Sequence, residues 1–195
     1  MISRLILSGM ALLLFVSLVV PTGVGHCGEG QRYKRSEEKY DIPDVTLINQ
    51  NRQKVKLVDF IMKSEKPVVL DFIYGTCTTI CPVLSAGFVN MQRKLGDATQ
   101  DVRLISISID PEHDTPEVMA TYLARYGAMP GWDFLTGSRE DINKVMRAFD
   151  AYISNKMNHY PITFLYKPGS PEWIRIYGLL STADLMNEYQ LLNGR

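Results

Sequence analysis

Cys77 and Cys81 stand with three residues between them and Pro82 directly behind. Thiols so spaced can close on each other as a disulfide, attack a disulfide on a partner, or turn both sulfurs toward one soft ion such as Cu(I). A bridge serving stability alone is disfavoured, because a loop this short removes little entropy from the unfolded chain. An imidazole added to two thiolates suits copper in either oxidation state. His159 stands at the entrance of an apolar segment, where a histidine on its own is more commonly a surface or hydrogen-bonded residue. His113, in a polar loop, reads as a turn cap. Met157, near His159, is a soft side chain, although scattered methionines usually fill cores. Asp71 lies inside an apolar run. Burying a carboxylate is costly unless it is paired or protonated, so Asp71 reads equally as a functional acid or a satisfied core group.

These residues need elements to hold them. Residues 67–73 form a nearly continuous apolar run, the pattern of a strand covered on both faces. Pro82 opens a helix to about Leu95, because proline suits the first helical turn, and Cys81 then falls at its N-cap. A helix mouth carries partial positive charge and free amides, so cysteines there are expected to have lowered pKa values. A second buried strand spans 102–109 and ends at Asp110-Pro111. Helix follows from Thr115-Pro116 to Gly127, strand over 132–135 and helix over 139–149. A hairpin pairs 162–166 with 173–177, and a final helix covers 182–192. A short hairpin precedes all of this, over 45–47 and 55–58. Alternating strand and helix closed by a hairpin predicts a central mixed sheet with helices on both faces, and places the cysteine pair beyond the carboxyl end of a strand, where ligands gather in α/β sheets.

The chain has 195 residues, 46% of them apolar and 22% charged, the balance of a globular domain. Its formal net charge is zero, so electrostatics give no reason to expect nucleic acid as a partner. Arg4, the apolar run 5–20 and then small residues follow the order of a secretory signal. Sixteen helical residues fall short of a ~30 Å hydrocarbon core, which favours cleavage near Gly25 over retention as an anchor, though association with a membrane through residues 5–20 stays open. Cys27 follows His26, where a lipid-attachment site needs a small residue, and reads as a linker cysteine. Export would place Cys77 and Cys81 where disulfides can form. Residues 29–39 are polar and charged without an apolar period, which predicts a tether, with order starting near Ile42.

Gly75-Thr76-Cys77, Cys81-Pro82, the stretch Ser108-Ile109-Asp110-Pro111-Glu112-His113-Asp114-Thr115-Pro116, Asn158-His159 before a strand, and Lys167-Pro168-Gly169 together resemble the SCO/SenC family in order and separation. The resemblance runs from about Ile42 to the C-terminus, and the stretch from Asp110 to Pro116 is its most specific piece. It implies an α/β, thioredoxin-like fold whose central mixed sheet is flanked by helices, with an N-terminal hairpin extension. It also implies a copper-binding chaperone for cytochrome oxidase assembly, acting outside the cytoplasm on a copper-accepting oxidase subunit or another thiol protein. Carried over residue by residue, the metal ligands fall on Cys77, Cys81 and His159, with Cys77 and Cys81 also able to pair as a disulfide. Asp110 would lie near the copper and tune it. Thioredoxin-like folds also place a cis proline before the strand facing the cysteines, which falls on Pro161. Two positions depart from the family: Thr78 replaces a proline, and Asn158-His159-Tyr160 replaces Asp-His-Ser. The chain then divides into a leader over 1–25, a linker over 26–41 and the domain over 42–195. The alternative function is an exported thiol-disulfide oxidoreductase using the same dithiol, with Asp71 as its proton-handling acid.

Overall fold

A strand buried along its whole length has to be paired on both edges and covered on both faces, because water reaches none of its backbone polar groups. In a computed structural model, which describes residues 33–194, strand β4 (Val68–Ile73) is that strand, buried at every position. It pairs in parallel with β5 (Arg103–Ser108) and antiparallel with β7 (Ile162–Tyr166). Beyond β5 comes β6 (Trp132–Thr136), parallel, then β2 (Thr46–Asn49) and β3 (Lys54–Lys56), antiparallel. Beyond β7 come β8 (Trp173–Tyr177) and β1 (Lys34–Glu38), both antiparallel. The result is an eight-stranded mixed sheet in the order β1-β8-β7-β4-β5-β6-β2-β3.

Side chains alternate across a sheet, so Asp71 and Phe72 look to opposite faces. On the Asp71 face pack α2 (Cys81–Leu95) and α3 (Pro116–Tyr126), with α5 (Thr182–Asn193) against α2. Phe88 of α2 meets Trp132 edge-on at 5.4 Å, and Ser85 and Tyr122 share a 2.7 Å hydrogen bond between α2 and α3. On the Phe72 face, Phe149, at the end of α4 (Arg139–Ala148), sits among Phe72, Phe164, Trp173 and Tyr40. Each such fully buried ring contributes about 1.5–3 kcal/mol through burial. The helix signals act where the sequence places them: Thr115 accepts the Val118 amide ahead of Pro116, and Gly127 closes α3 in the left-handed conformation at φ 66°.

Four expectations change. Residues 34–38, read as tether, form edge strand β1 on β8. Their polarity suits an edge, where backbone pairing supplies the stability and charged side chains are tolerated. Tyr33 and Arg35 reach the buried Glu188 at 2.8 and 3.0 Å. The segment from Leu57, read as strand to Val58, turns into helix α1 (Leu57–Met62). Ile80, not Cys81, is the N-cap of α2, which puts Cys81 inside the first turn. Among the described residues no peptide bond is cis, so Pro161 follows a trans bond, the default for X-Pro by about 0.5–1 kcal/mol. The leader over residues 1–25 and Cys27 lie outside the described residues. Within them no helix is long and apolar enough to cross a membrane.

Candidate metal and thiol site

The cysteines leave the sheet at the carboxyl end of β4, where the chain must turn sharply before α2. Asp114 makes the turn. Its carboxylate is fully buried, accepts the Gly75 amide at 3.0 and 3.2 Å on its two oxygens, and accepts the Ser108 hydroxyl at 2.5 Å. A β-carbon at position 75 would lie 2.8 Å from Asp114 Oδ1, so only glycine fits there without displacement. Burial pushes the Asp114 carboxyl upward, while the bonds from Ser108 and Gly75 oppose that rise. The loop then closes on itself, with the Cys77 amide donating to the Tyr74 carbonyl at 3.1 Å.

Cys77 and Cys81 are free thiols, 6% and 0% exposed. The Cys81 amide points at Cys77 Sγ from 3.5 Å, and the Thr79 hydroxyl lies 3.6 Å from the same sulfur. Burial disfavours a Cys77 thiolate, but hydrogen bonds from Cys81 and Thr79 outweigh it and bring the pKa down to about 7. Burial pushes the Cys81 thiol up, and the neighbouring Cys77 adds to the rise. The helix mouth therefore activates the cysteine lying outside it, because the Cys81 amide faces Cys77 Sγ while Pro82 has no amide hydrogen and the Val83 and Leu84 amides are bonded to the Ile80 carbonyl.

His159 comes from the other side of the sheet. Asn155 caps a 3₁₀ turn over Lys156–Asn158, and His159 follows it, with its amide donating to the Lys156 carbonyl at 3.1 Å. This brings His159 Nδ1 to 3.7 Å from Cys81 Sγ. Burial drops the His159 pKa to about 4, with the Phe72 backbone pulling weakly the other way. Nε2 is buried and forms no hydrogen bond of good geometry; a proton there, beside the Phe72 backbone, leaves the Nδ1 lone pair facing the sulfur.

Tyr74, which the sequence reading passed over, borders all three groups. Its ring meets His159 edge-on at 6.2 Å, and its hydroxyl donates to Met157 Sδ at 3.9 Å. Burial raises its pKa to about 12, and the nearby Cys77 sulfur adds to that rise. The signal available in sequence was position: Tyr74 is the last residue before the turn, where a side chain must look into the site.

Asp110 touches none of these. Burial opposes its ionisation, yet Lys156 at 2.5 Å and His113 at 3.1 Å hold its pKa below the usual carboxylate range, and Arg139 stands at 3.7 Å. Its link to His159 runs through Lys156. His113 pairs with Asp110, and Thr115 caps α3. Asp71 is fully buried on the same face of β4 as Val69 and Ile73, and neither carboxylate oxygen finds a hydrogen bond of good geometry. Burial raises its pKa to about 7, while Ser106, opposite in register, pulls it slightly down. Its charge lies close enough to Cys81 to raise that thiol further.

The donor set suits a soft ion. Metal–sulfur and metal–nitrogen bonds of about 2.3 and 2.0 Å, opened to about 110–120°, span about 3.5–3.7 Å between donors. The Cys81–His159 separation of 3.7 Å falls in that span. Among the described residues no three His, Cys, Asp or Glu side chains stand close enough together to hold a metal ion, so binding one through Cys77, Cys81 and His159 would require these side chains to close up.

The same architecture occurs in solved structures of Sco proteins. BsSco, a member of the Sco family of cytochrome c oxidase assembly proteins studied for a disulfide switch, superposes with TM-score 0.66 at 28% identity, covering 80% of this chain and 95% of that one. Copper-bound ScoI of Bradyrhizobium japonicum gives 0.58 at 26% identity, covering 77% and 97%. In sequence, the SCO1 protein homolog of Bacillus subtilis is 35% identical over 130 residues, 65% of this chain; the match spans 66% of that relative's own length, just under two thirds. With residues 34–186 matching the SCO1/SenC description across sheet, dithiol loop and His159 turn alike, the chain belongs to the SCO1/SenC family.

Proposed function

We propose that this protein binds copper through Cys77, Cys81 and His159 and passes it by ligand exchange to an oxidase copper site outside the cytoplasm. The observation that carries the reading is the approach of His159 Nδ1 to 3.7 Å from Cys81 Sγ, with an imidazole that burial keeps neutral. Two thiolates hold Cu(I), and the imidazole extends the set to Cu(II). Loading releases the two thiol protons, and the Cys77 proton leaves readily near neutral pH. Oxidation of the pair to a Cys77–Cys81 disulfide, with two electrons passed to a partner disulfide, removes both sulfur ligands and blocks loading. Export through the leader, with membrane association through residues 5–20, puts the site in the periplasm or an equivalent compartment. Partners are a copper-accepting oxidase subunit or another thiol protein.

The test is metal content. Reduced protein should take up about one equivalent of Cu(I), and the Cys77→Ser, Cys81→Ser variant none. His159→Ala should weaken Cu(II) binding sharply. Absence of Cu(I) uptake by the reduced wild type would end this reading.

A second reading is thiol-disulfide exchange. It is favoured by the contrast between an activated Cys77 and a buried Asp71, close to Cys81, whose carboxylate makes no hydrogen bond of good geometry. Cys77 would attack a partner disulfide and Cys81 would resolve the mixed disulfide, giving its proton to Asp71. That enzyme would turn over a model disulfide without copper and slow on Asp71→Asn.

A further inference from the structure

The metal site has a buried floor and an exposed methionine beside it. Cys77 and Cys81 are 6% and 0% exposed, so an ion arriving from solvent meets other groups first. Met157 is 73% exposed, whereas no other large apolar side chain among the described residues exceeds 48%. Its backbone is fixed, with the amide donating to Asn155 Oδ1 at 3.0 Å in the same 3₁₀ turn that carries His159. Its sulfur is aimed inward, onto the Tyr74 hydroxyl at 3.9 Å. Tyr74 is itself 5% exposed, with its hydroxyl near the Cys77 sulfur and its ring edge-on to His159. One phenol therefore separates an exposed thioether from the buried donors.

We propose that Met157 is the transit ligand for Cu(I), meeting the ion at the surface and handing it past Tyr74 to Cys77, Cys81 and His159, and reversing the step on release. A thioether is soft, neutral at every pH and weaker than a thiolate, the properties of a ligand that captures Cu(I) without keeping it. Copper stays Cu(I) throughout. The Cu–Sδ bond breaks as Cu–Sγ bonds form, and each thiol that binds gives its proton to solvent. The inference rests on the copper reading above and adds a route to it.

The experiment is stopped-flow exchange of Cu(I) between a coloured chelator and the reduced protein, alongside an equilibrium titration with the same chelator. Met157→Leu keeps the shape and removes the sulfur. It should load and unload about tenfold more slowly, a barrier change of about 1.4 kcal/mol, with equilibrium affinity unchanged. Tyr74→Phe should also slow exchange, and the double variant should be no slower than the slower single, because the two act in one step. Equal exchange rates for wild type and Met157→Leu overturn the transit role while leaving the copper reading intact. A fall in equilibrium affinity of Met157→Leu at unchanged loading rate overturns it too, making Met157 a resident ligand. Failure of wild type to bind Cu(I) at all removes both.

Discussion

Asp114 holds Gly75 by its backbone: the Gly75 amide reaches both carboxylate oxygens, at 3.0 and 3.2 Å, and a β-carbon at 75 would come within 2.8 Å of Oδ1. The turn carrying Cys77 is thus anchored to the loop that follows β5, and the cysteine motif and the Asp110–Pro116 stretch are parts of one clamp. Gly75→Ala should push the clamp apart and destabilise the fold by about 1–3 kcal/mol, the usual cost of overpacking a tight site. Denaturant unfolding of the apo protein measures this, and the same variant should bind Cu(I) more weakly because Cys77 is displaced.

The two thiols should react at different pH. Hydrogen bonds from Cys81 and Thr79 bring Cys77 to about 7, while burial drives Cys81 upward. Alkylation of the reduced protein followed by peptide mapping should label Cys77 well before Cys81, with a Cys77 rate that rises through about pH 7 and levels off above it. Thr79→Ala removes one donor and should move that midpoint upward. Labelling of Cys81 first would show that the helix mouth activates the inner sulfur.

The sheet was legible because its strands are apolar runs and its helices open on Pro82, Thr115 and Pro116. The Cys77–Cys81 pair and His159 were legible by residue type and motif. What sequence could not show was contact. Strand β1 is polar, and its stability comes from backbone pairing with β8, which leaves no periodicity to read. Asp110 and Asp114 sit in one motif, and only the fold shows that Asp114 holds the cysteine turn while Asp110 is spent on Lys156 and His113. Tyr74 stands just past the apolar run 67–73 and carried no signal beyond that position, because its role depends on where Met157 and His159 arrive.

Asp71 should be a stability liability that grows with pH. Its folded pKa of about 7 lies above its ordinary value of 3.8, so the unfolded chain loses the proton first and stability falls as pH rises between those values. Asp71→Asn removes this dependence. The variant's advantage over wild type should grow by about 1.4 kcal/mol per pH unit across that window and flatten above about pH 7. Denaturant melts of both proteins at several pH values decide it; an advantage independent of pH would mean that Asp71 is ionised in the fold and paired.

Lys156 should matter for Cu(II) more than for Cu(I). Its ammonium donates to Asp110 Oδ2 at 2.5 Å and stands 5.4 Å over the Tyr74 ring, so it pins the 3₁₀ turn that ends at His159. Lys156→Ala frees the turn without touching a ligand, and Asp110 keeps His113 and Arg139. Loss of an outer group that orients a ligand typically costs about 10–100-fold in metal affinity. Here that cost falls on the imidazole alone. Cu(II), which depends on His159, should bind at least about tenfold more weakly, whereas Cu(I), held by two sulfurs, should change by less than about threefold. Because the His159 pKa is about 4, its nitrogen stays unprotonated from pH 5 upward, and the contrast should persist across that range. Competition titrations in both oxidation states measure it, and equal losses for the two ions would show that Lys156 supports the whole domain instead of the histidine turn.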